Sequence, residues 1–169
     1  ALVAGAAVLL VLASPVLRLN MGFSDEGNFP EDTTTRKAYD LIADGFGPGF
    51  NGPFLITAVP TSAEGAGNLQ ALADAVAGTE GVANASAPIP DNPEDPAAAE
   101  AFLIQVIPTT SPQDEATDEL VDRLRGDVVP AATSGGDAVA YVSGQTAAFK
   151  DIADQIIERM PIFLLFIIG

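Results

Sequence analysis

Two short runs of mostly hydrophobic residues lie in the middle of the chain, over residues 54–59 and 102–107. A proline follows each run directly, Pro60 in the first case and Pro108 in the second. Because proline cannot donate a hydrogen bond to a neighbouring strand, it ends a central strand. The pattern therefore predicts two buried β-strands that stop at these prolines.

The two runs belong to an internal repeat with an offset of 48 residues (102 minus 54). Between residues 54–62 and residues 102–110, five of nine positions are identical, and the match continues without a gap into the following segments. There Leu72 aligns with Leu120. An internal repeat of this kind indicates two copies of one structural unit.

Each unit has the pattern of a strand, a helix and a second strand. After each first strand, apolar residues recur at helical spacing, and we expect Ser111 to cap the second helix, with Pro112 and Asp114 in its first turn. Second strands are predicted over residues 82–87 and 138–142. Two such units give an α+β fold, the ferredoxin-like βαββαβ two-layer sandwich, with both helices on one face of the sheet and the two apolar runs as neighbouring central strands. The helical apolar positions are Leu69, Leu72, Ala73 and Val76 in the first unit and Thr117, Leu120, Val121 and Leu124 in the second.

Residues 88–100, between the units, contain four prolines interleaved with Asp91, Glu94 and Asp95. This composition predicts a loop. A calcium site is the functional interpretation of its carboxylates, but the spacing of an EF-hand loop is absent and the prolines hinder wrapping around a cation. A solvated connection is therefore the favoured interpretation.

Two further helices flank the repeat. Thr33 or Thr34 can cap a helix over about residues 34–46 with an apolar face. A second helix, over residues 145–160, carries an apolar stripe suited to packing on the sheet or on a partner domain. Its charged face is expected to stay in water. The apolar positions are Ala38, Leu41, Ile42 and Phe46 in the first helix and Phe149, Ile152, Ala153, Ile156, Ile157 and Met160 in the second; the charged face of the second is Lys150, Asp151, Asp154, Glu158 and Arg159.

Both ends of the chain are apolar, since the first ionisable side chain is Arg18 and the last is Arg159. At about 1.5 Å per residue, residues 1–17 would form a helix of roughly 25 Å, slightly short of a bilayer core. We interpret residues 1–19 and 161–169 as truncated transmembrane helices. A signal-peptide core is the alternative for the first run, and a buried helix is the alternative for both.

The predicted organisation is a truncated membrane helix over residues 1–19, a connecting segment over 20–52, a βαββαβ domain over 53–144, a connecting helix over 145–160, and the start of a second membrane helix over 161–169. An acidic domain between two membrane helices suits the extracytoplasmic side.

Charge and composition exclude several functions. The chain has seven Lys and Arg against 23 Asp and Glu, a net charge of −16, and no His or Cys. Phosphate backbones would repel it, so we expect no nucleic-acid partner. Imidazole and thiolate chemistry is absent, and we predict no catalytic residue, no cofactor and no metal ligand in a chain that is not an enzyme. Carboxylate pairs such as Asp114 with Glu115, or Asp118 with Asp122, would suit acid–base chemistry in a cleft. Such pairs arise freely among 23 acidic residues, so they do not indicate an enzyme.

Several local motifs together cover nearly the whole chain. They are Gly27-Asn28 with Pro30, Thr34-Thr35-Arg36, Ala38-Tyr39-Asp40-Leu41, the glycine-rich run over residues 45–53, Pro108-Thr109-Thr110, and Pro112-Gln113-Asp114. With the flanking apolar helices and the βαββαβ pattern, they resemble MMPL-type transporters of the RND superfamily, particularly the actinobacterial kind.

This resemblance implies a proton-driven exporter of lipids or other hydrophobic molecules in the plasma membrane of a bacterium. The chain would be one of its two extracytoplasmic porter domains, more similar to that of the second half. Its partners would be a lipid or hydrophobic small-molecule substrate, the membrane itself, and the companion porter domain of the same full-length chain. The proton relay of such transporters uses Asp and Tyr of other membrane helices, to which no residue of this chain corresponds.

Phe46 and Phe50 are the candidate substrate contacts. They lie in residues 45–53, which contain four glycines and two prolines. One interpretation is a tight turn with both rings plugged into the domain core. The other is a hinge or cleft lip where the rings contact an acyl chain.

Arg36 and Lys37 are candidates for holding an anionic lipid head. Pairing of Arg36 with Asp40, four residues later on a helix, is the favoured interpretation. Two other functions remain as alternatives to transport: a membrane-tethered extracytoplasmic binding or assembly domain, and a secreted acidic hydrolase, for which the composition hardly supplies a catalytic set.

Overall fold

A computed structural model describes Gly5, Val11 and residues 24–168 of the chain. The predicted membrane helix over residues 1–19 lies outside the described residues, apart from Gly5 and Val11.

A five-stranded antiparallel sheet forms the centre of the domain. Four strands lie in the order β2-β4-β1-β5, and the short β3 pairs with β4. The central pair is β1 and β4, with Ile56 opposite Ile104. The predicted pairing of the two repeated apolar runs is therefore confirmed. The strands are β1 (Phe54–Pro60), β2 (Val82–Ala85), β3 (Ile89–Pro90), β4 (Phe102–Pro108) and β5 (Ala138–Ser143).

The helices are α1 (Thr34–Phe46), α2 (Ala63–Ala77), α3 (Glu115–Arg123), α4 (Val129–Ala132) and α5 (Gln145–Ile168). A π-helical turn, Leu124–Val128, joins α3 to α4. Thr33 caps α1, because its side chain accepts a hydrogen bond from the Arg36 N–H. Ser62 caps α2 in the same way through the N–H of Gly65.

The core lies between one face of the sheet and the helices α2 and α3. Alternate residues of the central strands point into it, as expected for a half-buried sheet. The α+β class is thereby confirmed. The largest fully buried core side chains are Phe54 and Ile56 of β1, Ile104 and Val106 of β4, Leu69, Leu72 and Val76 of α2, Leu120 and Val121 of α3, and Leu124 of the π turn.

The opposite face of the sheet is open. Tyr141 is 69% exposed, and Val59 and Val139, which lie opposite each other on β1 and β5, are each 45% exposed. The helices α2 and α3 therefore cover one face only, and the exposed part of the opposite face lies along β5 and the end of β1.

Ser111 does not cap α3, contrary to the sequence prediction. The helix begins at Glu115, and Asp114 is its N-cap residue. Residues 111–114 instead form a turn, in which the Ser111 N–H donates to the Asp114 carboxylate at 2.7 Å. The buried hydroxyl of Thr117 donates to the Ser111 carbonyl, also at 2.7 Å. A turn closed by these side-chain hydrogen bonds therefore takes the place of a Ser111 cap.

The proline-rich connection over residues 88–100 is not wholly a loop. Ile89 and Pro90 pair with Leu103 and Phe102 as β3, and Pro96–Ala98 forms a short 3-10 helix. A proline is tolerated here because β3 is a short edge strand.

One helix, α5, contains both the predicted connecting helix and the apolar run that follows it. It continues through Pro161, which has no N–H to donate to the preceding turn. Within residues 24–168, no helix combines the length and the apolar character needed to span a membrane.

The apolar stripe of α5 contacts the described domain only in part. Thr146, Ala147 and Ala153 are buried, whereas Ile152, Ile156 and Ile157 of the predicted stripe are 40–46% exposed. On the charged face, Lys150 does not stay in water, since its side chain is only 11% exposed. Most of the stripe is therefore not packed within the described domain, so its contact with a partner domain stays a prediction. Charged residues such as Lys150 make part of the contact between α5 and the domain.

Candidate functional site

A cavity of about 360 Å³ lies between the segment before α1, the loop before α3 and the first turns of α5. Its size falls in the range typical of small-molecule sites. Segments far apart in the sequence meet here, because the fold brings residues 24–28 against residues 112–118 and 145–149. The lining residues are Ser24, Asp25, Glu26, Asn28, Asn51, Gly52, Pro112, Gln113, Asp118, Gln145, Thr146 and Phe149.

Hydrogen bonds hold the wall that residues 24–28 form. The Gln113 amide donates to Asp25, and the Asn28 amide donates to Gln113 at 2.9 Å. Arg36 of α1 donates to the Gly27 carbonyl. Two motifs noted in the sequence, Gly27-Asn28 and Pro112-Gln113-Asp114, are thus joined at one site.

The opposite wall depends on a close approach at Gly52. A side chain there would bring a Cβ within 2.5 Å of the Pro112 ring and 2.6 Å of the Thr146 hydroxyl. That hydroxyl, which is buried, donates to the Gly52 carbonyl at 3.4 Å. Only glycine therefore lets the end of β1's entry loop reach both α5 and the loop before α3.

The lining of the cavity is acidic and rich in amides. Asp25, Glu26 and Asp118 contribute carboxylates, and no Lys or Arg is among the lining residues. Burial raises the pKa of Asp118; Lys150 opposes this shift, and neighbouring carboxylates reinforce it. The cavity is therefore unfavourable for anions and suited to a neutral or cationic polar group.

Tyr39 lies behind the cavity wall, beside Asp25. A Cβ on Gly27 would approach the Tyr39 ring to 3.0 Å. Burial, reinforced by the negative charge of Asp25, raises the pKa of Tyr39 to about 12. The phenol is therefore neutral at physiological pH.

Phe46 and Phe50, the predicted substrate contacts, do not line this cavity. Phe46 ends α1, and Phe50 lies in the 3-10 helix Pro48–Asn51. Their rings stack with centroids 5.0 Å apart, and they are 69% and 43% exposed. The interpretation of both rings as plugs in the core is therefore wrong. Their contact with a substrate stays a prediction.

The exposed rings belong to a wider apolar surface. Leu41, on the same helix as Phe46, is 72% exposed, and no residue of α1 is buried. The apolar face predicted for this helix exists, but it points away from the core of the described domain.

The other candidate residues have structural partners or stand apart. Arg36 donates to Asp40 at 2.8 Å, so the predicted pairing within α1 is confirmed. Asp122 pairs with Lys150 rather than with Asp118. Among the residues that the structure describes, no three acidic side chains come together in a metal-binding group.

Sequence reasoning missed the cavity because its residues come from separate segments. The available signal was the pair of motifs containing Asn28 and Gln113. Nothing in the spacing of these motifs indicated that they meet in space.

The chain is similar to two bacterial proteins over almost its entire length. It is 35% identical over 162 residues to the membrane protein YdfJ of Bacillus subtilis (strain 168), a match that covers 96% of this chain and 21% of the relative. It is 27% identical over 172 aligned positions to the mycolic acid-containing lipids exporter MmpL11 of Mycolicibacterium smegmatis (strain ATCC 700084 / mc(2)155), covering 98% of this chain and 17% of the relative. No protein-family model matches the chain.

The chain thus spans about a fifth of the length of these curated relatives. Both matches extend through the cavity segments and the sheet. They agree with the resemblance carried by the local motifs: the chain is similar to the MMPL-type transporters of the RND superfamily.

Proposed function

We propose that this chain is an extracytoplasmic porter domain of a proton-driven exporter of lipids or other hydrophobic molecules. The observation that carries the proposal is the match of 98% of the chain to a relative named as an exporter of mycolic acid-containing lipids. The domain would sit in a bacterial plasma membrane protein and face the extracytoplasmic side. It would contact the companion porter domain of the full-length protein and carry out no chemistry of its own.

The cavity is the place proposed for the polar end of the substrate. Its volume of about 360 Å³ suits a head group rather than a whole lipid. Phe149 and Pro112 supply apolar contact beside the carboxylates and amides. The exposed rings of Phe46 and Phe50 form a separate apolar surface for an acyl chain.

Asp118 supports a functional role for the cavity, because its position disfavours the charged form. Because the pKa of Asp118 is raised in the folded state, the stability of the fold falls as the pH rises through that pKa. An asparagine at this position would therefore stabilise the folded chain at pH 7. A titratable group whose surroundings disfavour its charged form, at a cost to the stability of the fold, is typical of functional sites.

Transport by the full-length parent protein tests this proposal. The protein is reconstituted into liposomes with and without a proton gradient, and movement of a fluorescent lipid is followed. An export rate that does not change when a protonophore collapses the proton gradient would contradict the proposal that export is proton-driven. A protein that binds lipid without moving it would favour the membrane-tethered binding domain.

Asp118→Asn tests the role of the cavity. We expect transport to fall while the unfolding midpoint of the 169-residue chain rises. Glu119→Gln is the matched control, since Glu119 is exposed on the same helix and does not line the cavity. Equal transport by both variants would remove the cavity from the proposal.

Labelling in intact cells tests the sidedness. The described domain offers exposed alanines, Ala71 on α2 and Ala97 in the connection, and the chain contains no native cysteine. Ala71→Cys and Ala97→Cys should react with a membrane-impermeant thiol reagent from outside. Reaction only after lysis would place the domain in the cytoplasm.

A further inference from the structure

Helix α5 begins at a fixed corner of the domain. Gly144, immediately before it, has φ +115°, and a Cβ there would approach the Pro53 carbonyl oxygen to 2.9 Å. The first turns of α5 are buried at Thr146 and Ala147, and Ala153 is the last residue of α5 that is buried among those whose burial the structure describes. Beyond this point, the described side chains of α5 are mostly exposed, so the helix projects from the domain.

Apolar packing over so short a stretch leaves the direction of α5 weakly determined. Small alanine side chains bury little area, and burial contributes about 25 cal/mol per Å² of apolar surface. Ile152 and Ile156, which could have packed on the domain, are 45% and 46% exposed. Other contacts must therefore hold this helix.

Arg125 supplies the first of these contacts from the π turn Leu124–Val128. Its guanidinium donates to the Val142 carbonyl of β5 at 2.9 Å and to both carboxylate oxygens of Asp151 on α5. The Asp151 pair is thus bidentate, which adds geometric specificity to the attraction. One side chain connects the sheet, the π turn and the projecting helix.

Lys150 supplies the second contact in the opposite sense of charge. Its Nζ lies 3.0 Å from Asp122 of α3 and 2.6 Å from Asp154 of α5. In the first pair α5 carries the anion, Asp151, whereas in this pair α5 carries the cation, Lys150. Two crossed ion pairs on adjacent residues of α5 oppose both rotation and tilting of the helix.

We propose that Arg125 and Lys150 form an ionic clamp that fixes the direction of α5 relative to the sheet, so that the helix and the domain turn as one body. The residues are positioning residues, and neither lines the cavity itself. Gln145, Thr146 and Phe149 of α5 do line it. Release of the clamp would therefore change the shape of the cavity as well as the direction of the helix.

Distances between spin labels test the clamp directly in the 169-residue chain, purified in detergent. The chain has no native cysteine, so labels at Ala71→Cys on α2 and Glu158→Cys on α5 report the direction of the helix. Labels at Ala71→Cys and Ala97→Cys form the reference pair within the domain. The clamp variants are Arg125→Ala, Lys150→Ala and Asp151→Asn.

We expect each clamp variant to broaden the distance distribution of the α5 pair and to leave the reference pair unchanged. Asp151→Asn is the variant that least endangers folding, because the Asp151 side chain is 54% exposed. Arg123→Ala is the matched control: Arg123 ends α3 and donates to the Glu80 carbonyl at 2.7 Å, away from α5. It should leave both distributions narrow.

An α5 distribution that stays narrow in all three clamp variants would overturn the proposal. Broadening of the reference pair together with the α5 pair would also overturn it, because the residues would then stabilise the whole domain. In the unsubstituted chain, about 1 M salt should broaden the α5 pair alone, since the Debye length falls to about 3 Å. None of these readouts depends on transport, so the clamp stands or falls separately from the proposed function.

Discussion

Glycine at position 65 illustrates how one residue fixes the packing of a helix. Gly65 is buried near the start of α2, where a Cβ would lie 1.8 Å from the Asp137 carbonyl oxygen. Asp137 precedes β5, so this close approach sets the distance between the helix and that strand. The backbone φ at Gly65 is ordinary, and space alone requires glycine here.

Gly65→Ala should therefore destabilise the fold, by about 1–3 kcal/mol as for an overpacked core. Gly67→Ala, on the same helix, is the matched control, because nothing lies within 4 Å of a Cβ there. It should stabilise the fold by up to about 1 kcal/mol, since alanine favours helix more than glycine does. Urea unfolding of the two variants measures the difference. Equal midpoints would contradict the prediction, because they would show that the backbone at Asp137 moves to accommodate the added Cβ at little cost.

The Tyr39 phenol should titrate at high pH. In a Tyr141→Phe variant, absorbance of the remaining phenol should change near pH 12, because burial and the Asp25 carboxylate raise its pKa. Above the unfolded value of about 10, the folded state binds the proton more strongly, so stability falls as the pH rises from about 10 to about 12. Asp25→Asn should lower the observed pKa; an unchanged value would mean that burial accounts for the whole shift.

At the scale of elements, the stacked pair Phe46 and Phe50 stands at the junction of α1 and the 3-10 helix that follows. Both rings are exposed, so Phe46→Ala and Phe50→Ala should change the free energy of unfolding by no more than about 1.5 kcal/mol. If the rings contact the acyl chain of a substrate, transport by the full-length parent should fall severalfold. Tyr141→Ala, on the open face of the sheet, is the control for loss of an exposed ring. Unchanged transport in both phenylalanine variants would remove them as substrate contacts.

The strands were predictable from sequence because their signal is local and repeated. The runs that begin at Phe54 and Phe102 are apolar, end in proline and match each other, so their pairing follows from one pattern. The cap of α3 was not predictable in this way. Ser111 has the right residue type, but the buried Thr117 hydroxyl takes its carbonyl, and the turn that results moves the helix start to Glu115.

The candidate site was less predictable than the sheet. Whether Phe46 is a core plug or a surface ring depends on what lies opposite α1, and a sequence pattern gives only the spacing of its apolar face. The cavity depends on Gly52 approaching Pro112 and Thr146, residues up to 94 positions away. Such contacts have no periodicity, so they become visible only in the folded chain.

For the whole molecule, charge is the dominant feature: 23 acidic residues face seven basic ones. The described ion pairs use only three of these cations, Arg36, Arg125 and Lys150, of which only Lys150 has a largely buried side chain. Pairs between exposed groups are worth about 0–1 kcal/mol each. Repulsion among the remaining carboxylates should therefore outweigh them. The excess negative charge destabilises the compact state and keeps the chain away from anionic surfaces.

Added salt should accordingly raise the unfolding midpoint of the chain, because screening weakens the repulsion more than it weakens a few pairs. The measurement is thermal unfolding in a neutral detergent between low and about 0.5 M sodium chloride. The double variant Glu94→Gln and Asp95→Asn, in the exposed connection, should show a smaller rise. A midpoint that falls with salt would mean that the ion pairs dominate.

The position of β5 has a practical consequence for the isolated domain. This strand pairs only with β1 in the described sheet, and its sequence, Ala-Val-Ala-Tyr-Val-Ser, contains neither proline nor charge. Natural proteins usually protect such an edge, since it offers backbone groups to a strand from another molecule. Arg125 already donates a hydrogen bond to the Val142 carbonyl. The arginine therefore opposes the addition of a strand from another molecule, besides holding α5 in place. Concentrated solutions of the domain should therefore lose protein to β-rich aggregates sooner when that guanidinium is removed.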